Sequence, residues 1–125
     1  MKAVNPLARA RGHGSAKHGV HHWWLQRASS LLLIVLTGWL LYAMITLNGS
    51  SHEEAMAFMA TPCNAAMAIL LAIGGLYHAM LGMQVVIEDY IHSPAMEIFL
   101  QLAVKAATYA GMAISVIYIL RMAIA

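Results

Sequence analysis

The run "CNAAMAILLAIGGLYHAMLGMQVVI", Cys63 to Ile87, decides the fold, because no Asp, Glu, Lys or Arg interrupts it. A hydrocarbon core ~30 Å thick needs about 20 helical residues at 1.5 Å each, and this run meets that length. Working outward, Ala28 to Leu47 and Ile98 to Leu120 are also long enough, and neither contains an acid. The last holds one base, Lys105, near enough to its start for the side chain to snorkel toward phospholipid head groups. Across 125 residues, 62% are hydrophobic and 10% charged, with a mean hydropathy of +0.72. That balance lies outside the soluble range and predicts an all-α membrane protein of three transmembrane helices, with no nucleic-acid partner.

Charge sets the expected orientation. Lys2, Arg9, Arg11, Lys17 and Arg27 precede the first span without an acid, whereas Asn48 to Pro62 holds Glu53 and Glu54 and no base. The positive-inside rule puts the N-terminus in the cytoplasm of a bacterial inner membrane, with the matrix side of the mitochondrial inner membrane as the equivalent alternative. The organisation read from this is a flexible basic cytoplasmic tail, residues 1–19, and a membrane anchor domain, residues 20–125. Spans are expected at about 28–47, 63–88 and 97–121.

The connections carry local signals. Asn48-Gly49 predicts a turn, and Ser51 with Glu54 three residues later predicts a capping box. A short interfacial helix is expected at about 52–60, with Met56 and Met59 toward lipid, ending before Pro62. Pro94 suits the first turn of the third span. A single cysteine, Cys63, excludes an internal disulfide and any cysteine cluster within the chain.

Of the seven histidines, only His78 falls inside a span. A neutral imidazole is tolerable in hydrocarbon when one nitrogen donates and the other accepts. It is then hydrogen-bonded to a neighbouring helix, part of a proton path, or bound to a metal. Gly74 and Gly75 lie one turn before it and Gly82 one turn after, on nearly the same face. Small residues there suit close helix packing, and they also clear space for a planar macrocycle beside an axial imidazole. If a haem is held, a second axial side chain is needed. No other histidine lies in a span, though methionines such as Met67, Met80 and Met112 are available, so another polypeptide is the expected source. Asp89 and Tyr90 end the same helix, Asp89 roughly 16 Å from His78 along the axis at 1.5 Å per residue. An acid and a phenol at the head-group boundary suit a quinone, and equally an ordinary interfacial anchor with a solvated acid.

These residues resemble a known family. "GVHHWWLQRASSLLLIVL" from Gly19, then "HAMLGMQVVIEDYI" from His78, then "LQL" in the third span are similar to the hydrophobic, D-type membrane anchor of succinate dehydrogenase, respiratory complex II. The resemblance implies a bundle formed with a second, cytochrome b anchor subunit that holds haem b between the two. It implies a flavoprotein with FAD and an iron-sulfur subunit as further partners, those cofactors residing in them alone. By position, His78 is implied as haem axial ligand and metal ligand, Arg27 and His21 as neighbours of the haem propionates, and Tyr90 with Asp89 as the ubiquinone site. The reaction implied is reduction of ubiquinone with electrons from succinate. Two alternatives stand beside it: a fumarate reductase anchor working in the opposite direction, and a non-redox scaffold or metal-handling protein using His13, His18, His21 and His22.

Overall fold

The computed structural model describes residues 17–124, so the expected tail over residues 1–16 lies outside the described residues. Four helices follow in order: α1 (Lys17–Thr46), α2 (His52–Ala60), α3 (Pro62–Tyr90) and α4 (Pro94–Ile124). Among the described residues three of them, α1, α3 and α4, are long and apolar enough to cross a membrane, and the chain is an all-α membrane protein.

Each boundary has a local cause. α1 stops where Gly49 takes a positive φ of 81°, a conformation glycine adopts without a steric penalty. The amide of Ser50 then donates to the Leu47 carbonyl at 3.1 Å. α2 begins with the expected capping box: the Ser51 amide donates to Glu54 Oε2 at 2.7 Å, and the Glu54 amide to Ser51 Oγ at 3.2 Å. Pro62 opens α3 and Pro94 opens α4, where a missing amide hydrogen costs nothing. Glu97 in the first turn of α4 and Arg121 in its last complement the helix dipole.

α3 is the middle element: α1 packs on one side of it and α4 on the other, and the two outer spans do not meet. Two stripes on α3 make this possible. On one, Gly74 admits the side chains of Leu32, Leu33 and Leu36, which would stand 3.6–3.9 Å from an added methyl. On the other, Leu76 fits against Gly111 of α4, 3.4 Å from where a side chain would begin. Backbones approach closely at both places, which is how van der Waals contact substitutes for a hydrophobic driving force inside lipid. The residues sealed between helices include Leu36, Ala43, Ala65, Met80, Leu81 and Ile87, with Ser29 and Thr108 as buried polar members.

The outer end of the bundle is tied by one polar cluster. Trp39 Nε1 donates to Asn64 Oδ1 at 3.2 Å, while Asn64 Nδ2 donates to the Phe58 carbonyl at 3.0 Å, joining α1, α3 and α2. Asn64→Ala strands the half-buried Trp39 indole N–H, whereas the Phe58 carbonyl keeps the Thr61 amide at 3.3 Å; an unmade bond of this kind costs about 1–3 kcal/mol. Denaturant titration of the detergent-solubilised protein should show a loss of that order, and a change below a few tenths would refute the tie.

The interfacial helix differs from expectation in its facing. Met56 lines a groove with His52, Tyr118, Arg121 and Met122, and both Met56 and Met59 are half-buried. α2 packs against the ends of α3 and α4, so Met56 turns toward protein rather than lipid.

Candidate functional site

His78 sits on the stripe of α3 that faces α1, half-buried. Both of its ring nitrogens have partners there. Nδ1 lies 2.9 Å from Ser29 Oγ, and Nε2 lies 3.3 Å from Gln26 Nε2. The Ser29 hydroxyl already spends its one hydrogen on the Gln26 carbonyl, at 3.0 Å. With that hydrogen on the carbonyl the hydroxyl accepts from the ring, which assigns the proton to Nδ1 and the lone pair to Nε2. The Gln26 amide donates to that lone pair.

α1 presents these groups because of helical spacing. His22, Gln26 and Ser29 recur at four and three residues, one stripe of the helix. Two buried polar atoms on that stripe find no partner, His22 Nε2 and Gln26 Oε1. Gly82 belongs to the same contact, since a methyl there would stand 3.8 Å from Gln26 Nε2. Of the three glycines near His78, Gly74 thus serves the leucines of α1, Gly82 makes room for the Gln26 amide, and Gly75 faces open space. Met80, one of the sulfur donors considered from sequence, is buried in the bundle.

The remaining expected site residues lie apart from this network. The Arg27 guanidinium stacks 4.5 Å from the centre of the Trp23 ring, and Trp23 meets Trp24 edge-on at 5.1 Å. Arg27 and His21 are both exposed, on faces of α1 open to a further chain. At the end of α3 the acidic run divides. Gln101 of α4 donates to Glu88 Oε1 and to the Gln84 carbonyl, both at 3.4 Å, while Glu88 itself stays exposed. Asp89 and Tyr90 are exposed, Tyr90 by 75%. Lys105 is exposed along a shallow groove with Glu97, Ile98, Gln101 and Leu102. Glu97, Gln101 and Lys105 follow at intervals of four, so the ammonium lies on a face that leads back to the helix entrance.

Gln26 and Ser29 were not identified from sequence as partners of His78. The signal was the polar spacing 22, 26, 29 entering an apolar span, opposite the lone histidine of another.

The arrangement has relatives. The family model described as succinate dehydrogenase/fumarate reductase transmembrane subunit matches residues 1–117. A succinate dehydrogenase hydrophobic membrane anchor subunit from Rickettsia bellii is 41% identical over 99 residues, 79% of this chain and 79% of that one. Its namesake from Rickettsia conorii is 41% identical over 86 residues, 68% of each chain. The subunit of the same name from Paracoccus denitrificans is 32% identical over 90 residues, 72% of this chain and 70% of its own. With the predicted three-span fold in place and the match running from the first residue into the third span, the chain belongs to the succinate dehydrogenase/fumarate reductase transmembrane subunit family.

Proposed function

We propose that this membrane anchor subunit of succinate dehydrogenase supplies His78 as one axial ligand to a haem b shared with a second anchor subunit, and Tyr90 with Asp89 to a ubiquinone-reduction site. The observation that carries the reading is the ring of His78. Its Nδ1–H is fixed by Ser29 and its Nε2 lone pair faces only a rotatable amide, the state in which histidine binds a metal. The donor set fits haem iron in a second respect. One imidazole from this chain would hold the iron and a partner chain would supply a second ligand, in keeping with a thin bundle whose outer helices do not pack on each other. The haem, when bound, supplies one-electron storage near the quinone, its potential tuned by ligation and burial.

Arg27 and His21 stand on exposed faces near the entrance of α1, where propionates of a haem held by His78 would need cations or donors. The Tyr90 phenol and Asp89 carboxylate occupy the end of α3 that we place on the cytoplasmic side of a bacterial inner membrane, together with the basic N-terminal region. The flavoprotein and iron-sulfur subunits would dock on that side. Tyr90 donates a hydrogen bond to a quinone carbonyl, and Asp89 beside it accepts and passes protons. Succinate oxidation is the direction we favour, because the named relatives are succinate dehydrogenase subunits; fumarate reduction is the rival. The scaffold and metal-handling reading gives way to the family assignment, and its His13 lies outside the described residues.

One mild-detergent purification tests the whole reading. The chain should bring with it a flavoprotein, an iron-sulfur protein, a second small anchor and a six-coordinate low-spin b-haem spectrum. Purification of the intact assembly without haem absorbance would remove the cofactor role.

A further inference from the structure

We propose that Ser29 is a positioning residue for the haem ligand: its hydroxyl fixes the tautomer and plane of His78 and makes the imidazole a stronger donor to ferric iron. The proposal rests on the reading of His78 as that ligand.

The geometry is directional. The Ser29 hydroxyl donates to the Gln26 carbonyl at 3.0 Å and accepts from His78 Nδ1 at 2.9 Å. Donating its hydrogen leaves Oγ richer in electron density and a better acceptor, because successive hydrogen bonds polarise one another. A ring whose Nδ1–H is drawn toward such an acceptor carries more negative charge at Nε2, and a more basic ligand favours the higher oxidation state of the metal. Ser29 is buried, at 9% exposure, so water does not substitute for it. Gln26 plays no comparable part after coordination, since its amide and the iron compete for the same lone pair.

The neighbouring residue supplies the control. Ser30 Oγ bonds the Arg27 carbonyl at 2.8 Å, the same backward bond to the residue three before it that Ser29 makes, but it has no bond to His78. Loss of either hydroxyl perturbs α1 similarly, and only one of them acts on the imidazole.

The experiment is a redox titration of the haem, with low-temperature electron paramagnetic resonance of the ferric form, in the intact four-subunit complex. Ser29→Ala should shift the ferric-ferrous equilibrium toward ferrous by up to about tenfold, which is ~59 mV upward for a one-electron couple. The principal g values should move with it. Ser29→Thr, which keeps the oxygen, should restore both, and Ser30→Ala should change neither. Where Ser29→Ala does not assemble, Ser29→Cys carries the test through a weak sulfur acceptor, with a smaller upward shift expected. A wild-type potential and wild-type g values in the assembled Ser29 variant overturn the proposal, as does an equal shift in Ser30→Ala. A His78→Ala complex that keeps the native haem spectrum instead overturns the ligand reading, and the Ser29 proposal with it.

Discussion

His78→Ala should abolish the six-coordinate low-spin haem spectrum of the purified complex, leaving either a high-spin haem or none. The magnitude follows from coordination: a truncated side chain offers no donor, and the nearest other histidines, His21 and His22, stand at the entrance of the first span. Stability must be separated from ligation. The substitution also removes the ring donor from the Ser29 hydroxyl, worth about 1–3 kcal/mol when a buried bond is left unmade. Gln26 Oε1 already lacks a partner, so the local polar network has little left to satisfy it. Recovery of all four subunits and succinate-to-dye activity, which needs neither haem nor quinone, reports assembly independently of the spectrum. Assembly intact with the spectrum lost assigns the ligand. An unaltered reduced-minus-oxidised spectrum would assign the iron to other side chains and reduce His78 to a hydrogen-bonded packing residue.

What could be read from sequence and what could not divide along the distance over which the cause acts. Gly49, Ser51 with Glu54, Pro62 and Pro94 behave as expected because each boundary is decided within a few residues, by a left-handed turn, a capping box or a missing amide hydrogen. The spans were legible from hydropathy. Their helices were less so: α1 begins at Lys17 rather than near Ala28, since hydropathy locates the hydrocarbon crossing, whereas the helix continues through the head-group layer where Trp23, Trp24 and Arg27 are at home. His78 stood out because an imidazole in lipid demands partners. Its partners did not, because Gln26 and Ser29 meet it across 52 and 49 positions of sequence, and such a meeting depends on the rotation and register of two helices. Met56 was misread for a related reason, its facing being set by where α2 docks on α4. Glu88 shows the same limit. It belongs to one exposed acidic run with Asp89, yet it alone of the two accepts from the Gln101 amide on the neighbouring helix.

Tyr90→Phe should lower the turnover of succinate-dependent ubiquinone reduction by about a hundredfold, the scale on which removal of one positioned donor or general acid slows a proton-coupled step. The ring stays and only the hydroxyl goes, so apolar contact with the quinone ring persists and KM should move far less than kcat. Fold stability should not change by more than about 0.5 kcal/mol, because Tyr90 is 75% exposed and its hydroxyl makes no hydrogen bond among the described residues. That exposure is itself informative. A phenol at the last turn of α3, beside an exposed Asp89 and an exposed Glu88 that bonds Gln101, is free to meet a molecule or subunit arriving from outside the chain. Succinate-to-dye activity and the haem spectrum should both be normal in Tyr90→Phe, which places the defect after the iron-sulfur relay and away from His78. Wild-type quinone kinetics in that variant would return Tyr90 to the role of an interfacial anchor. A parallel Asp89→Asn variant then distinguishes hydrogen bonding from proton delivery. If Asp89 passes protons, the amide slows turnover although it can still hydrogen-bond, and the slowing should carry a larger solvent deuterium isotope effect than the parent enzyme shows.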